Sequence, residues 1–356
     1  MDLDLTEEQE AVVALAAQIF SGEVTGERCR EVEDGDTGVD AALWATLAEA
    51  GLLALCVPES AGGTGYGAVE ATLLLQELGR ACALVPLQPT LMGTIFVAEH
   101  ADEAQAATLL AGVAEGERTF ALALADDPRT PLRAPAVTVR DGGLHGTTTA
   151  VGFAPTADVL LVTAADGVYA VEAGAEGVTI EPQLMQHRVR AGRITFAGAA
   201  AERVAGPEGV TRLVDLATLG VCALVVGACD KALRVTAEYS GQRHQFGRPI
   251  GSFQAVETRL ADAFIALNGV RLTTLSAATM LDERAPEATE SVAIAKYWAA
   301  RAADIVGHAS LHVHGGISID RDYPVHRYFL WAKTLEHELG GKSDQLTTIG
   351  AGIAAG

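Results

Sequence analysis

The chain has 356 residues, 49% of them hydrophobic and only 5% aromatic, and a formal net charge of −21. That length supports a large core and more than one domain or layer, and a composition rich in Ala, Leu and Val suits a mainly helical protein. The charge argues against nucleic-acid binding, which needs a basic stripe, and bears on solubility rather than on fold.

The opening segment MDLDLTEEQE is acidic and does not follow the plan of a signal peptide. The longest apolar run, Leu219 to Cys229, is bracketed by Asp215 and Asp230 and falls short of a bilayer. A buried helix in a cytoplasmic protein is expected. Cys29, Cys56, Cys82, Cys222 and Cys229 are scattered, odd in number and contain no C-x-x-C pair, so buried free thiols are expected.

Residues 1 to about 115 read as helices. Thr6-Glu7-Glu8-Gln9 is a capping box, and Val12, Leu15 and Ile19 follow at helical spacing. Asp40 caps a second helix with Leu43, Trp44 and Leu47 on one face and Gly51 at its end. A third helix is predicted from about Val69 to Gly79. Five β-type runs follow: Val137–Val139, Val159–Thr163, Val168–Val171, Val178–Ile180 and Arg193–Phe196. Asp-Gly turns at Asp141-Gly142 and Asp166-Gly167 predict antiparallel pairing. Long periodic segments return at Leu213–Tyr239, Ser252–Leu281 and Glu287–His314. The resulting domains are 1–117 helical, 118–206 β and 207–356 helical.

This order resembles the acyl-CoA dehydrogenase family. Leu52 to Gly67, LLALCVPESAGGTGYG, followed by LLQELGRACALVPL, is similar to its N-terminal hairpin and Pro-Glu-x-x-Gly-Gly loop. Tyr239 to Gly247, YSGQRHQFG, continuing PIGSFQAVETRLAD, resembles its Y-x-x-x-R-x-x-F-G signature. His314-Gly315-Gly316 with Asp322-Tyr323-Pro324-Val325 resembles its G-G and Y-P motifs. The resemblance spans essentially the whole chain. It implies an α+β, mainly α fold: an N-terminal helical domain, a middle antiparallel β-barrel or sheet domain, and a C-terminal four-helix bundle. It also implies FAD chemistry, in which a Glu carboxylate takes the α proton of an acyl-CoA thioester and flavin N5 takes the β hydride.

Neither family position for that Glu is acidic here. Counting from Tyr323, the commoner position is Leu339, in Leu339-Gly340-Gly341. Counting back from Tyr239, the alternative is Ala217, followed by Thr218. Glu338 lies one residue from the first position, where helix ends vary in register, and otherwise joins Glu336 as a solvated end-of-helix charge. The family's T-E-P-x-x-G-S-D flavin loop is replaced by LALADDP, Leu122 to Pro128, running into Arg129. The strand Gly143 to Phe153, GLHGTTTAVGF, keeps His145-Gly146-Thr147 but lacks the family's Trp beside the flavin.

The elements that the family uses to hold a neighbouring subunit's FAD are retained. Arg243 can grip a phosphate, Gln245 can hydrogen-bond it, Phe246 is an apolar wall, and Gly247, Gly315 and Gly316 admit close backbone approach. His312 stands where the family often has Gln. The resemblance therefore implies a base-less subunit of a heteromeric enzyme, as in the heterotetrameric steroid-degrading acyl-CoA dehydrogenases of actinobacteria. Its partners would be a homologous chain carrying the Glu, an acyl-CoA substrate and electron-transfer flavoprotein. Two alternatives stay open: a self-sufficient homotetramer using Glu338, and a non-redox binding or scaffold protein on this fold. The cluster Gly62, Gly63, Gly65 and Gly67 reads as a helix-to-helix loop rather than a phosphate cradle. His308, His312 and His314 lack a carboxylate or Cys to complete a metal set.

Overall fold

The computed structural model describes residues 5–124 and 131–355. Six helices open the chain: α1 Glu7–Glu23, α2 Gly26–Asp34, α3 Ala41–Glu49, α4 Ala68–Ala81, α5 Leu87–His100 and α6 Glu103–Leu109. The capping box of α1 forms as expected. The Thr6 hydroxyl accepts the Gln9 N–H at 3.2 Å, and the Gln9 carboxamide accepts the Thr6 N–H at 3.0 Å. Asp40 caps α3 by accepting the Leu43 N–H at 3.0 Å, and the Arg28 guanidinium holds its carboxylate at 2.7 and 2.8 Å.

Gly79, expected to end α4, lies inside it. The helix continues to Ala81, because a Cβ at Gly79 would overlap the Leu224 carbonyl and one at Gly227 would overlap that of Gln76. The two glycines let two helix backbones meet, and neither acts as a stop signal.

The middle of the chain forms β1 Phe120–Ala123, β2 Thr138–Arg140, β3 Gly143–Gly152, β4 Val159–Ala164, β5 Gly167–Glu172, β6 Val178–Leu184, β7 Arg190–Ala200 and β8 Glu202–Ala205. They build two four-stranded sheets, ordered β1-β4-β5-β8 and β2-β3-β7-β6. The expected antiparallel pairing holds except between β1 and β4, which run parallel with Phe120 opposite Val159. Strands β2 and β3 intervene in the other sheet. The chain therefore re-enters by a crossover, and a crossover delivers a parallel strand where a hairpin cannot. Leu144, Ile194 and Phe196 of one sheet share a buried core with Leu160, Val162 and Val171 of the other.

The remainder forms α7 Pro207–Gln242, a short hairpin of β9 His244–Gln245 and β10 Arg248–Pro249, then α8 Gln254–Asp282, α9 Ala288–His314, α10 Val325–His337 and α11 Lys342–Ala355. Helices α8, α10 and α11 all pack on α9. Its buried face is largely alanine, including Ala295, Ala299, Ala302 and Ala303, which permits close approach. Helices α7 and α8 have the length and hydropathy of membrane spans, but the apolar stretch of α7 is entirely buried within protein, as a core helix requires. All five cysteines are buried and none is in a disulfide among the described residues, and burial pushes the Cys222 and Cys229 thiols up to about 12.

The chain divides into two compact units. One comprises the segment ending at Gly26 together with Thr72–Ala83 and Val221–Gly356, and the other Glu27–Ala71 with Leu84–Gly220. The site residues retained from the family signature lie in the first.

Candidate functional site

Helix α7 ends one residue before Arg243. The Arg243 N–H donates to the Tyr239 carbonyl at 2.8 Å, and the Arg243 carbonyl accepts the Ile250 N–H at 2.8 Å, closing the base of the hairpin. Gln245 pairs with Arg248 and His244 with Pro249, leaving Phe246 and Gly247 as a two-residue turn. Both have positive φ, 53° and 78°, as a twisted two-residue hairpin requires. Glycine tolerates this freely, whereas a left-handed phenylalanine costs about 1–2 kcal/mol.

The Phe246 ring meets Phe253 edge-on at 6.2 Å, and the Arg248 guanidinium lies 4.1 Å over Phe253. Phe246 is nonetheless 92% exposed. Arg243 and Gln245 are exposed and make no side-chain hydrogen bond or ion pair among the described residues. A strained, exposed aromatic beside an unpaired guanidinium is a feature that folding does not need.

The ends of α7 and α9 are tied by three rings. His314 stacks on Tyr239 with centroids 4.4 Å apart, Tyr323 lies 5.3 Å from His314, and Tyr323 meets Tyr239 edge-on at 6.5 Å. Three separate sequence motifs thus converge through one residue each. Helix α9 stops at His314 because Gly315 takes φ 65° and ψ −140°, a backbone conformation confined in practice to glycine. A Cβ at Gly247, Gly315 or Gly316 would meet nothing within 4 Å, so these backbones are open to an approaching group. His312 is exposed, about 200° around α9 from His314. The role of His314 as the ring that joins the elements was missed from the sequence, where it stood as the residue before two glycines and as one of three histidines with no further metal ligand.

The turn after α10 carries the first base position. Leu339 has φ 54° and Gly340 φ 96°. The wholly buried Lys296 donates from Nζ to the carbonyls of Leu335 and Glu336, each at 3.0 Å. Gln345 Nε2 donates to the Leu339 carbonyl at 3.2 Å, and Asp344 accepts the Gly341 N–H at 2.8 Å. Glu338 is partly buried. Burial pushes its carboxyl above the ordinary range, and the Lys296 ammonium opposes that rise.

The alternative position, Ala217, is buried on α7, where its carbonyl accepts Gln88 Nε2 at 3.2 Å. Its neighbour Thr218 donates to the Val214 carbonyl at 2.7 Å. Asp215, two residues away, is ion-paired with Arg133. Neither Ala217 nor Leu339 can accept a proton.

Of the segment in the flavin-loop position, Leu122 and Ala123 belong to β1, and Ala125 to Arg129 lie outside the described residues. His145, Gly146 and Thr147 lie on β3, where a Cβ at Gly146 would press on Val137 at 3.0 Å. The glycine cluster folds onto itself: Gly62 and Gly65 take positive φ, and Thr64 donates to the Leu55 carbonyl at 2.7 Å. His308 lies 3.4 Å from Asp304, and His314 Nδ1 lies 2.8 Å from the Ser310 carbonyl. Among the described residues the three histidines form no three-ligand group.

A family model described as acyl-CoA dehydrogenase, N-terminal domain, matches residues 6–117, and one described as acyl-CoA dehydrogenase, C-terminal domain, matches residues 205–354. The acyl-CoA dehydrogenase FadE27 of Mycobacterium tuberculosis is 37% identical over 99% of both chains. Among solved structures, a variant of the Tcur3481–Tcur3483 steroid ACAD is 38% identical over 98% of both chains, with a TM-score of 0.93. The ChsE4–ChsE5 complex from Mycobacterium tuberculosis is 36% identical over 99% of both chains, with a TM-score of 0.92.

Proposed function

The chain belongs to the acyl-CoA dehydrogenase family, and on that premise we propose that it is the base-less subunit of a heteromeric enzyme, completing the FAD site of a homologous partner that carries the catalytic Glu. The observation that carries this is an asymmetry between two sites. The hairpin of Arg243, Gln245, Phe246 and Gly247 keeps an unpaired guanidinium and a strained exposed ring, while Leu339 and Ala217 occupy the base positions.

Homologues of this fold bind FAD. The residues present fit the diphosphate and adenosine end of that cofactor. Arg243 has free donors for a phosphate, Gln245 is free to hydrogen-bond it, and Gly247, Gly315 and Gly316 leave room for backbone approach. Bound there, FAD would supply an acceptor for the β hydride of the acyl thioester. This chain's residues hold the cofactor's diphosphate end and exclude water with Phe246. The partner's Glu takes the α proton.

The substrate is an acyl-CoA, steroid-sized by analogy with the steroid ACAD relative. Electrons pass to electron-transfer flavoprotein, and the enzyme works in the cytoplasm with domains at 1–117, 118–206 and 207–356.

The test is flavin absorbance per polypeptide, for the chain alone and for its complex with a Glu-bearing homologue. A colourless chain and a yellow complex with one FAD for every two chains support the proposal. One FAD per chain, with turnover by this chain alone, would overturn it. The raised carboxyl of Glu338 favours one second possibility, a homotetramer using that residue as base. It requires the chain alone to be active and Glu338→Gln to abolish that activity.

A further inference from the structure

We infer that His314 is a positioning residue that holds the Arg243 hairpin and the Gly315–Gly316 turn in the register that grips FAD, and that this register requires a neutral imidazole; this builds on the FAD half-site proposed above.

The ring joins the two elements through side chains, packed between Tyr239 and Tyr323, which themselves meet edge-on. On one side it stacks on Tyr239 at 4.4 Å. The Tyr239 carbonyl in turn holds the Arg243 N–H at 2.8 Å, one helical turn on. On the other side His314 is bonded directly to Gly315, whose backbone leaves α9 at a glycine-only angle. A shift of the imidazole therefore displaces both elements. Ser318 Oγ also donates to the Gly315 carbonyl at 2.7 Å, but that bond fixes the glycine turn locally and does not reach the Arg243 hairpin.

The protonation state follows from two hydrogen-bonding facts. The Ser310 carbonyl can only accept, so Nδ1, 2.8 Å away, must donate to it. Nε2 is then an acceptor, and it is enclosed with no hydrogen-bond partner among the described residues. Protonating the ring would place an N–H where nothing accepts it, and a charge on a side chain that is only 4% exposed.

The groups facing the ring are Tyr239 from α7 and Tyr323 from the turn before α10, with Glu238 of α7 acting on Tyr323. Neither of these neighbours is a carboxylate that would pair with an imidazolium. Burial accordingly holds the imidazole below its ordinary value of 6.5, with the Ser310 carbonyl opposing the shift. The sign is that of a depressed histidine. The stack is intact above about pH 6.5 and is lost as pH falls through the lower, folded-state value.

The experiment compares the flavin-loaded complex of wild type, His314→Phe and His314→Ala, following release of FAD by its fluorescence at neutral pH and through an acid titration. Phenylalanine keeps the stack and replaces an unpartnered nitrogen by carbon. His314→Phe should therefore hold FAD at neutral pH as wild type does, and should lose the acid limb of release. His314→Ala should weaken FAD retention at neutral pH by about fivefold to tenfold, the worth of one aromatic stack. Amide exchange over 243–247 at neutral pH should rise in the alanine variant and not in the phenylalanine variant.

Wild-type retention in His314→Ala, or an unchanged acid limb in His314→Phe, would overturn the inference. If the alanine variant fails to fold, the acid limb of the phenylalanine variant decides. Arg243→Ala separates the two levels. If it leaves FAD content unchanged, the half-site itself is wrong. If it loses FAD while both His314 variants match wild type, only the role of His314 falls.

Discussion

The ammonium of Lys296 lies 3.0 Å from the carbonyl oxygen of Leu335, thirty-nine residues away, and donates to it from a position with no solvent exposure. A second bond of 3.0 Å goes to Glu336. These carbonyls belong to the last turn of α10, where the helix itself supplies no donors. A cation at that end also meets the negative pole of the helix. The turn that follows holds Leu339 in a left-handed conformation, and Lys296 from α9 and Gln345 from α11 fix it on two sides.

Lys296→Met should therefore destabilise the chain by about 2–5 kcal/mol. Methionine nearly matches the lysine stem in volume, so the loss comes from buried carbonyls left without donors and not from a cavity. Urea unfolding of the two proteins measures it. A change under 1 kcal/mol would mean that the carbonyls find other partners.

Glu338 gives a pH-dependent prediction. Burial raises its carboxyl, so ionisation is less favourable in the fold than in the unfolded chain. Its contribution is present below the unfolded value of 4.5 and is lost as pH rises through the higher, folded-state value. Glu338→Gln should melt like wild type near pH 4 and at a higher temperature than wild type at pH 8. Thermal melts of both proteins across that range check the sign. A variant less stable than wild type at pH 8 would mean that the Lys296 attraction outweighs burial.

What could be read in the sequence was local. The Thr6–Gln9 box and the Asp40 cap need only neighbouring residues, and both form as expected. Helix α5 escaped individual notice because ten of its residues, from Leu87 to Val97, are buried all round, which erases the one-sided periodicity that marks a surface helix. The parallel pairing of β1 with β4 depends on partners about forty residues apart, and a four-residue strand of Phe120, Ala121, Leu122 and Ala123 carries no alternation to betray it. At the site, the Arg243-x-x-Phe246-Gly247 spacing was legible as a motif. The left-handed Phe246 was not, because the favoured residue at that turn position is asparagine or glycine, nor was the stack of Tyr239 on His314, which exists only once α7 and α9 meet. Lys296, in an alanine-rich helix that also carries Glu290, Arg301 and Asp304, looks in sequence like any solvated charge.

The glycine pair in the first compact unit can be tested directly. Gly79 of α4 faces the backbone of Leu224, and Gly227 of α7 faces that of Gln76, with no room at either for a Cβ. Alanine is otherwise the better helix former by about 1 kcal/mol. Gly79→Ala and Gly227→Ala should nonetheless lower stability by about 1–3 kcal/mol each, because the obstacle is backbone and cannot rotate away. The double variant should cost less than the sum, since one displacement of the helices relieves both contacts. Additive losses in denaturant melts would show that the two collisions are relieved independently.

Phe246 offers the opposite trade. It occupies the first position of a two-residue turn with both residues left-handed, where asparagine before glycine is the favoured pair. Its ring contributes little to the fold's own core, being 92% exposed with one edge contact to Phe253. Phe246→Asn should therefore stabilise the isolated chain by about 1 kcal/mol through relief of the left-handed strain. The same substitution removes the apolar wall proposed to close over FAD, so the complex should retain less flavin after gel filtration. Gain of stability with loss of flavin would identify the strain as maintained for binding. Loss of stability with flavin unchanged would place Phe246 among the residues that hold the hairpin together, and the cofactor role would pass to Arg243 and the glycines alone.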